Sequence, residues 1–395
     1  MRSAVRSLRK RRFSYVPLVE VQVHQDRLIH NLNRFLTTYP KHAIAPVLKS
    51  NAYGHGLAEV AGILDQVRRS TPGRLPFLVV DSYHEAMILR NEGITTPILL
   101  IGFSAIHNIA QCRLRDVAFT ITSLEMLECL AEAAKKSGNG ITIHLKIDTG
   151  MHRQGILENE LQRALEIIDT CHLLRLEGIC SHLADSEPEQ SAQNAAQIAA
   201  WNSIVDTVGN RHGLRFTHIS ATHGAWHSTS VKANVIRLGL GLYGISAAPA
   251  RDVALALMPA LSLSTVITST KTVPKGAAVG YGGTFAALRE MRIATLPLGY
   301  NEGVDRRLSG RGFVQINAGT GKLFKCPILG RVSMNITTID VSGVPTSELR
   351  IGTPVIIISE DPVAPNSVAA IAETCGTIAY EILVHISPSL SRKVV

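Results

Sequence analysis

From about residue 43 the chain alternates short runs of β-branched and other apolar residues with longer stretches in which apolar positions recur every three or four residues. Short unbroken apolar runs predict strands and the longer period predicts amphipathic helices, so the pattern reads as repeated βα units. Eight strands are expected: AIAPVLK (43–49), PFLVVDS (76–82), PILLIGF (97–103), VAFTITS (117–123), ITIHLKID (141–148), LRLEGICSH (174–182), FTHIS (216–220) and VIRLGLGLYG (235–244). After the fourth, Leu124, Leu127, Leu130, Ala131 and Ala134 share one helical face. Ser123 is placed to cap the start of that helix, Lys135 and Lys136 suit the negative end of its dipole, and Gly138 ends it. Eight such units in roughly 200 residues fit a closed (β/α)8 barrel, with an open doubly wound sheet as the alternative.

After residue 250 the rhythm changes. LSLSTVITSTKTV (261–273), MRIATLPLGY (291–300), GFVQINA (312–318), NITTIDVS (335–342) and TPVIIIS (353–359) read as strands separated by Gly and Pro turns, with little helix. VPLVEVQV (16–23) also reads as a strand, and it precedes the barrel. The expected organisation is therefore α/β: a basic disordered tail over 1–15, a TIM-type barrel over 24–255, and a mostly β domain assembled from 16–23 and 256–395.

Charge changes this picture only at one end. Lys+Arg exceed Asp+Glu by 40 to 31, but six of the bases (Arg2, Arg6, Arg9, Lys10, Arg11 and Arg12) stand in the first twelve residues. Without them the excess is three, too little for a basic face, so no nucleic-acid partner is expected. The tail has the Arg and Ser content of a transit peptide and the paired arginines of an export signal, but Glu20 and Asp26 interrupt the short apolar run behind it. The longest uncharged stretch, 253–270, holds Pro259 and six Ser or Thr, so no membrane span is expected. The six cysteines form no Cys-x-x-Cys pair and read as reduced thiols, which makes the expected compartment cytoplasmic.

Barrels carry their chemistry at the C-terminal ends of the strands. Lys49 ends the first, Lys146 and Asp148 the fifth, with Arg153 in the loop beyond, His182 the sixth and Ser220 the seventh, with Thr222 beyond. Arg237 lies on the eighth, ahead of Gly239 and Gly241. The set is rich in cations and hydroxyls and has one carboxylate, which argues against a glycosidase or a divalent-metal centre. A lysine there is either a snorkelling surface group or a Schiff-base lysine made nucleophilic by desolvation. Thr222 and the Gly239–Gly241 backbone could hold a phosphate. Together with a strand-eight arginine, these groups suggest pyridoxal 5'-phosphate.

The segment APVLKSNAYGHG (45–56) resembles the pyridoxal-phosphate signature of alanine racemases. The resemblance continues through KIDTGMHRQG (146–155), SHLAD (181–185), RLGLGLYG (237–244), VGYGGTF (279–285), PLGYNEG (297–303), LGRVSMN (329–335) and AYE (379–381). It implies a barrel that holds pyridoxal phosphate, a following β domain, and a homodimer with shared active sites that interconverts L-alanine and D-alanine for peptidoglycan. Lys49 resembles the cofactor lysine that is also one catalytic base, and Tyr281 resembles the opposite base, supplied by the partner subunit. Racemisation needs two such groups because the α-proton leaves one face and returns on the other. Cationic neighbours would favour the tyrosine's phenolate, and His182 linked to Arg237 is suited to that. Arg237 resembles the arginine that faces the pyridine nitrogen and leaves it unprotonated. Arg153 and the Met334 backbone amide match substrate-carboxylate positions, and Lys146 matches a lysine often carbamylated in the family. Tyr53, Thr222, Gly239, Leu240 and Tyr380 match cofactor and phosphate positions, while Tyr300, Arg306 and Arg331 match the inner entrance.

This chain departs from the family's pattern at Ala221 and Thr222, where Asn-Ser is usual, and at Asn335, where Asp is usual. Asn301 and Glu302 replace Ala-Asp, and Gln154 replaces Leu. These changes touch substrate preference, so a broader racemase acting on serine or lysine is an alternative. A basic amino-acid decarboxylase would need a Glu rather than Arg237 at the ring nitrogen. A non-catalytic cofactor carrier would usually stop at the barrel.

Overall fold

The structure, a computed structural model, describes residues 15–184, 192–227, 229–246, 255–317 and 321–395. All of the expected basic tail except Tyr15 lies outside the described residues. The chain forms two compact units, one made of Ile29–Ala52 and Val60–Leu257, the other of the chain up to Leu28, Tyr53–Glu59 and Met258–Val395.

Strand β1 (Glu20–Val23) belongs to the second unit. The first unit holds β2 (Ala43–Pro46), β3 (Leu78–Val80), β4 (Ile98–Leu100), β5 (Val117–Ile121), β6 (Ile141–Lys146), β7 (Leu174–Cys180), β8 (Phe216–His218) and β9 (Val235–Leu238). Strands β3 to β8 pair in parallel and in chain order, and β2 pairs in parallel with β9. A bridge between Val47 and Val79 joins β2 to β3, and the bonds Asn234 N–H to Thr217 O and Arg237 N–H to Ser220 O join β9 to β8. First and last strands meet, so the sheet is a closed eight-stranded barrel and not an open one. Every residue of β3, β4 and β9 is buried, as parallel strands covered on both faces require.

The helix after β5 spans Leu124–Ser137; Ser123 Oγ accepts from Met126 N–H at 3.2 Å, and Gly138 ends it in the left-handed region. The eighth strand is shorter than its sequence suggests. At Gly239 the backbone leaves the extended region and enters a 3-10 turn, Leu240–Tyr243. Gly241 in that turn has no room for a side chain, since a Cβ would stand 2.7 Å from Phe35 and 2.8 Å from Thr222.

The second unit continues with β10 (Leu261–Val266), β11 (Ser269–Val273), β12 (Ala278–Val279), β13 (Phe285–Ala286), β14 (Met291–Leu296), β15 (Phe313–Asn317), β16 (Leu323–Leu329), β17 (Thr337–Asp340), β18 (Pro354–Ile358) and β19 (Arg392–Val394). Nine of its strands form one sheet in the order β11-β14-β17-β16-β15-β18-β10-β1-β19, and β12 with β13 is a separate hairpin. β1 runs antiparallel to β10 and parallel to β19. The apolar run 261–273, expected as one strand, is two, and they sit in different parts of the sheet. Strand β16 was not expected because Pro327 and Lys325 break its alternation; the helices Val368–Cys375 and Ala379–Val384 were not expected either. No helix among the described residues is long and apolar enough to cross a membrane.

Candidate active site

In the barrel unit, Lys49 is partly buried where β2 ends. Its strand end is pinned by Leu48 N–H to Val79 O at 2.7 Å, and by the buried Tyr243 hydroxyl donating to Val47 O at 2.8 Å. The chain then turns left-handed for four consecutive non-glycine residues, Ser50, Asn51, Ala52 and Tyr53, with φ between 51° and 56°. Each such residue costs about 1–2 kcal/mol, and runs of them persist only where the surroundings hold them. Here Ala52 N–H closes onto Leu48 O at 2.8 Å, and Glu85 Oε1 faces Asn51 N–H at 3.4 Å while capping its own helix. The strain lies next to the lysine, a feature that residue spacing cannot announce.

The other cations gather around His182. Lys146, at the end of β6, lies 3.4 Å from Gln154 Oε1. Burial holds its ammonium below the usual lysine range, and the charges of Arg153 and Arg237 add to the effect. Arg153 itself is exposed. Asp148, just beyond β6, is committed locally, accepting from the N–H groups of Gly150, Met151 and His152 at 2.9, 3.0 and 3.1 Å. Its burial raises the pKa, but these N–H groups and His152 outweigh that and leave it low. His182 is held down to about 3, first by burial and then by Arg237, Arg153, Lys146 and Lys49. It is therefore a neutral imidazole at neutral pH, and the positive partner in its pair is Arg237, whose Nη2 lies 3.1 Å from His182 Nδ1. Arginine only donates, so Nδ1 accepts and the ring's proton sits on Nε2.

Arg237 is buried, and its guanidinium is fixed from several sides. Nη1 donates to His218 O at 2.8 Å and to His218 Nδ1 at 2.7 Å, and Nη2 donates to Ser181 O and Ile219 O at 2.8 and 2.9 Å. Its Nε takes part in none of these bonds. Thr222 Oγ1 accepts from Gly239 N–H at 3.1 Å and Gly241 N–H at 3.3 Å, which leaves its own hydroxyl proton to donate elsewhere.

In the second unit, Tyr281 opens a 3-10 turn, Tyr281–Gly283, at the tip of the β12–β13 hairpin, and is 73% exposed. Gly280, Gly282 and Gly283 all have positive φ, which allows the tight tip. The hairpin's base is anchored by an apolar cluster of Val279, Ala287, Met291, Ile293 and Leu329. The Arg331 guanidinium lies over Gly282, 3.5 Å from where a Cβ would stand. Met334 and Tyr300 stand on adjoining loops: Tyr300 N–H donates to Ser333 O and Asn301 N–H to Met334 O, both at 3.0 Å. Tyr300 and Arg306 line one cavity of about 310 Å³ with Asp305 and His385. Tyr53 and Tyr380 meet with ring centroids 5.8 Å apart.

The departures at 302 and 335 are in direct contact. Buried Glu302 accepts from Asn335 Nδ2 at 2.7 Å, Asn301 Nδ2 at 2.8 Å and Gly299 N–H at 2.8 Å. An aspartate at 335 would set two carboxylates side by side, whereas asparagine turns the contact into a donor–acceptor pair.

The family description "Alanine racemase, N-terminal domain" matches residues 23–247, and "Alanine racemase, C-terminal domain" matches residues 260–394. Alanine racemase 2 of Caldanaerobacter subterraneus subsp. tengcongensis is 32% identical over 386 residues, 96% of this chain and 95% of that protein. Among solved structures, the alanine racemase of Bacillus anthracis with bound L-Ala-P superposes with a TM-score of 0.85 at 29% identity, covering 97% of this chain and 96% of that one. The alanine racemase of Clostridium difficile 630 gives 0.86 at 27% identity, with 97% of each chain covered.

Proposed function

The chain belongs to the alanine racemase family, and from that membership we propose how its residues divide the interconversion of L-alanine and D-alanine between them. It is a pyridoxal-phosphate-dependent isomerase that acts on a small amino acid. The barrel's residues fit that cofactor. Four cations bear on one neutral histidine while Asp148, which acts on Lys146, is consumed by backbone N–H groups, so among the described residues His182 stands in an excess of positive charge, which an anionic ligand would offset. Thr222, with its hydroxyl proton uncommitted, and the orphan amide N–H of Leu240 at the start of its turn would hold the phosphate, beside Gly239. Tyr53 and Tyr380 complete the cofactor's holding set.

When bound, pyridoxal phosphate supplies an aldehyde for an amine and a conjugated ring that delocalises the electron pair left as the α-proton departs. Lys49 Nζ takes or returns that proton on one face. Tyr281 Oη, from a second copy of the chain, acts on the other face, because a tyrosine this exposed is free to serve a neighbour. His182 assists it by donating from Nε2 to the phenolate, with Arg237's charge held behind Nδ1. Arg237, with Nε uncommitted and its guanidinium always protonated, would face the cofactor's ring nitrogen and leave it unprotonated. Arg153 and the Met334 amide bind the substrate carboxylate, Lys146 orients Arg153, carbamylated or through Gln154, and Tyr300, Arg306 and Arg331 line the inner entrance. The enzyme works as a homodimer in the cytoplasm and supplies D-alanine for peptidoglycan.

The observation that carries this reading is Arg237, bound on both terminal nitrogens and free at Nε amid uncompensated cations. Circular dichroism of L-alanine incubated with the protein and cofactor tests it, together with borohydride reduction and peptide mapping. Loss of the alanine signal and a pyridoxyl label on Lys49 are expected; no label at Lys49 would overturn it. Gln154, polar beside Lys146, favours a second reading in which larger polar amino acids are also accepted. A panel including L-serine and L-lysine separates the two.

A further inference from the structure

The barrel interior holds a second set of ionisable groups that the proton transfers do not use. His218 on β8 and His144 on β6 are both fully buried. Phe77 and Phe216 pack on them: the Phe77 ring centroid is 5.6 Å from His144 and 5.9 Å from His218, and Phe216 is 5.9 Å from His144. An unpaired polar group in such surroundings is costly, so the path of each ring nitrogen matters.

That path is a line. Arg237 Nη1 is 2.7 Å from His218 Nδ1, His218 Nε2 is 2.8 Å from His144 Nδ1, and His144 Nε2 has Glu177 Oε2 at 3.6 Å. The arginine end is a donor, so His218 Nδ1 accepts and His218 carries its proton on Nε2. His144 Nδ1 must then accept in turn, so its own proton sits on Nε2, which makes no hydrogen bond but has the Glu177 carboxylate's charge 3.6 Å away. Burial holds both imidazoles neutral, which fits one proton per ring. Glu177 is partly buried at the N-terminal end of the strands, where Arg175 and Arg215 approach it at 3.5 and 3.2 Å beside a cavity of about 390 Å³. It is the one carboxylate on this line, and it faces Arg237's charge across two aligned imidazoles.

We propose that Glu177 and His144 are positioning residues for Arg237, acting through His218. The carboxylate's charge, 3.6 Å away, favours the proton of His144 on Nε2, His144 fixes that of His218 on Nε2, and His218 Nδ1 stays a bare acceptor that anchors the guanidinium. In the other tautomer, His218 would present N–H to the N–H of Arg237, and the guanidinium would lose its register with Nε uncommitted. This rests on the reading of Arg237 as the group that faces the ring nitrogen.

Histidine-selective 15N NMR of the cofactor-loaded enzyme reports the tautomers directly, and both His218 and His144 are expected as Nε2–H forms. His144→Phe keeps a ring against Phe77 and Phe216 but supplies no nitrogen. In it the His218 signals are expected to move toward the mixed-tautomer position, and kcat to fall on the order of 10- to 100-fold with little change in KM. A side reaction should rise on the order of tenfold relative to racemisation: half-transamination, in which alanine and the cofactor's aldehyde become pyruvate and the cofactor's amine. His144→Gln, with one acceptor and one donor, is expected to recover most of the loss. Glu177→Leu, at the rim of the barrel, should change the same readouts in the same direction, and it decides the matter if His144→Phe does not fold. An unchanged His218 tautomer or an unchanged partition ratio in a folded variant overturns the proposal. If the wild-type enzyme does not racemise alanine, the reading of the site fails instead, and the 15N spectra still decide the relay.

Discussion

The candidate residues of the two units are held in opposite ways. In the barrel, Arg237 is buried and bound on both terminal nitrogens, and Lys49 precedes a strained turn held by Leu48 and Glu85. In the β unit, Tyr281 stands 73% exposed on a glycine hairpin, and among the described residues its hydroxyl has no partner. The first set is organised by its own fold before any ligand arrives. The second offers a phenol with no partner among the described residues, the arrangement the proposed role in a neighbouring subunit calls for. The contrast predicts that substitution at Lys49 or Arg237 disturbs cofactor binding along with rate, whereas substitution at Tyr281 disturbs rate alone.

The largest effects should come from the two proposed bases. Lys49→Ala is expected to lose racemisation by a factor on the order of 10³ or more, together with the covalent cofactor label. Tyr281→Phe should lose on the order of 10² to 10⁴ in both directions of turnover while cofactor content and melting temperature stay at the wild-type level. A Tyr281→Phe enzyme that keeps turnover in both directions, or melts several degrees lower, breaks the comparison.

A smaller effect distinguishes the barrel by its buried imidazoles. His182, His144 and His218 all have folded pKa values below the ordinary 6.5, His182 at about 3. The unfolded chain therefore takes up protons near pH 6.5 that the folded barrel refuses, so stability is full above that pH and falls as pH drops toward 3. The melting temperature of the cofactor-free protein should decline on the order of 5 °C between pH 7.5 and pH 5. A flat profile would mean that these rings are already charged in the fold. The smallest effect is expected at the chain's start: removing Arg2 to Arg12, which precede every element among the described residues, should leave racemisation within about twofold.

Much of this was legible in the sequence because it is local. The eight barrel strands announce themselves as apolar runs, and the Leu124–Ser137 helix by its face and caps. The family resemblance carried the chemistry, since Lys49, Arg237 and Tyr281 each stand in a short contiguous motif. The matches to both family domains also favour the racemase over the decarboxylase and carrier readings. What escaped is what depends on distant parts of the chain. The Glu177–His144–His218–Arg237 line joins residues from four strands, each unremarkable in its own segment. His182 was expected to contribute positive charge, but burial beside four cations makes it neutral, which only the packed barrel reveals. The pairing of Glu302 with Asn335 looked like two unrelated departures until the loops met.

The central claim is that the barrel of one subunit works with the tyrosine of another. It is tested most directly by mixing Lys49→Ala and Tyr281→Phe proteins, each inactive alone, under conditions that exchange subunits. A mixed dimer has one site with both bases intact and one with neither. Random pairing should then restore about a quarter of the wild-type racemase activity. No recovery, with exchange verified by differently tagged subunits, would mean that the two bases must come from the same chain and would contradict the account.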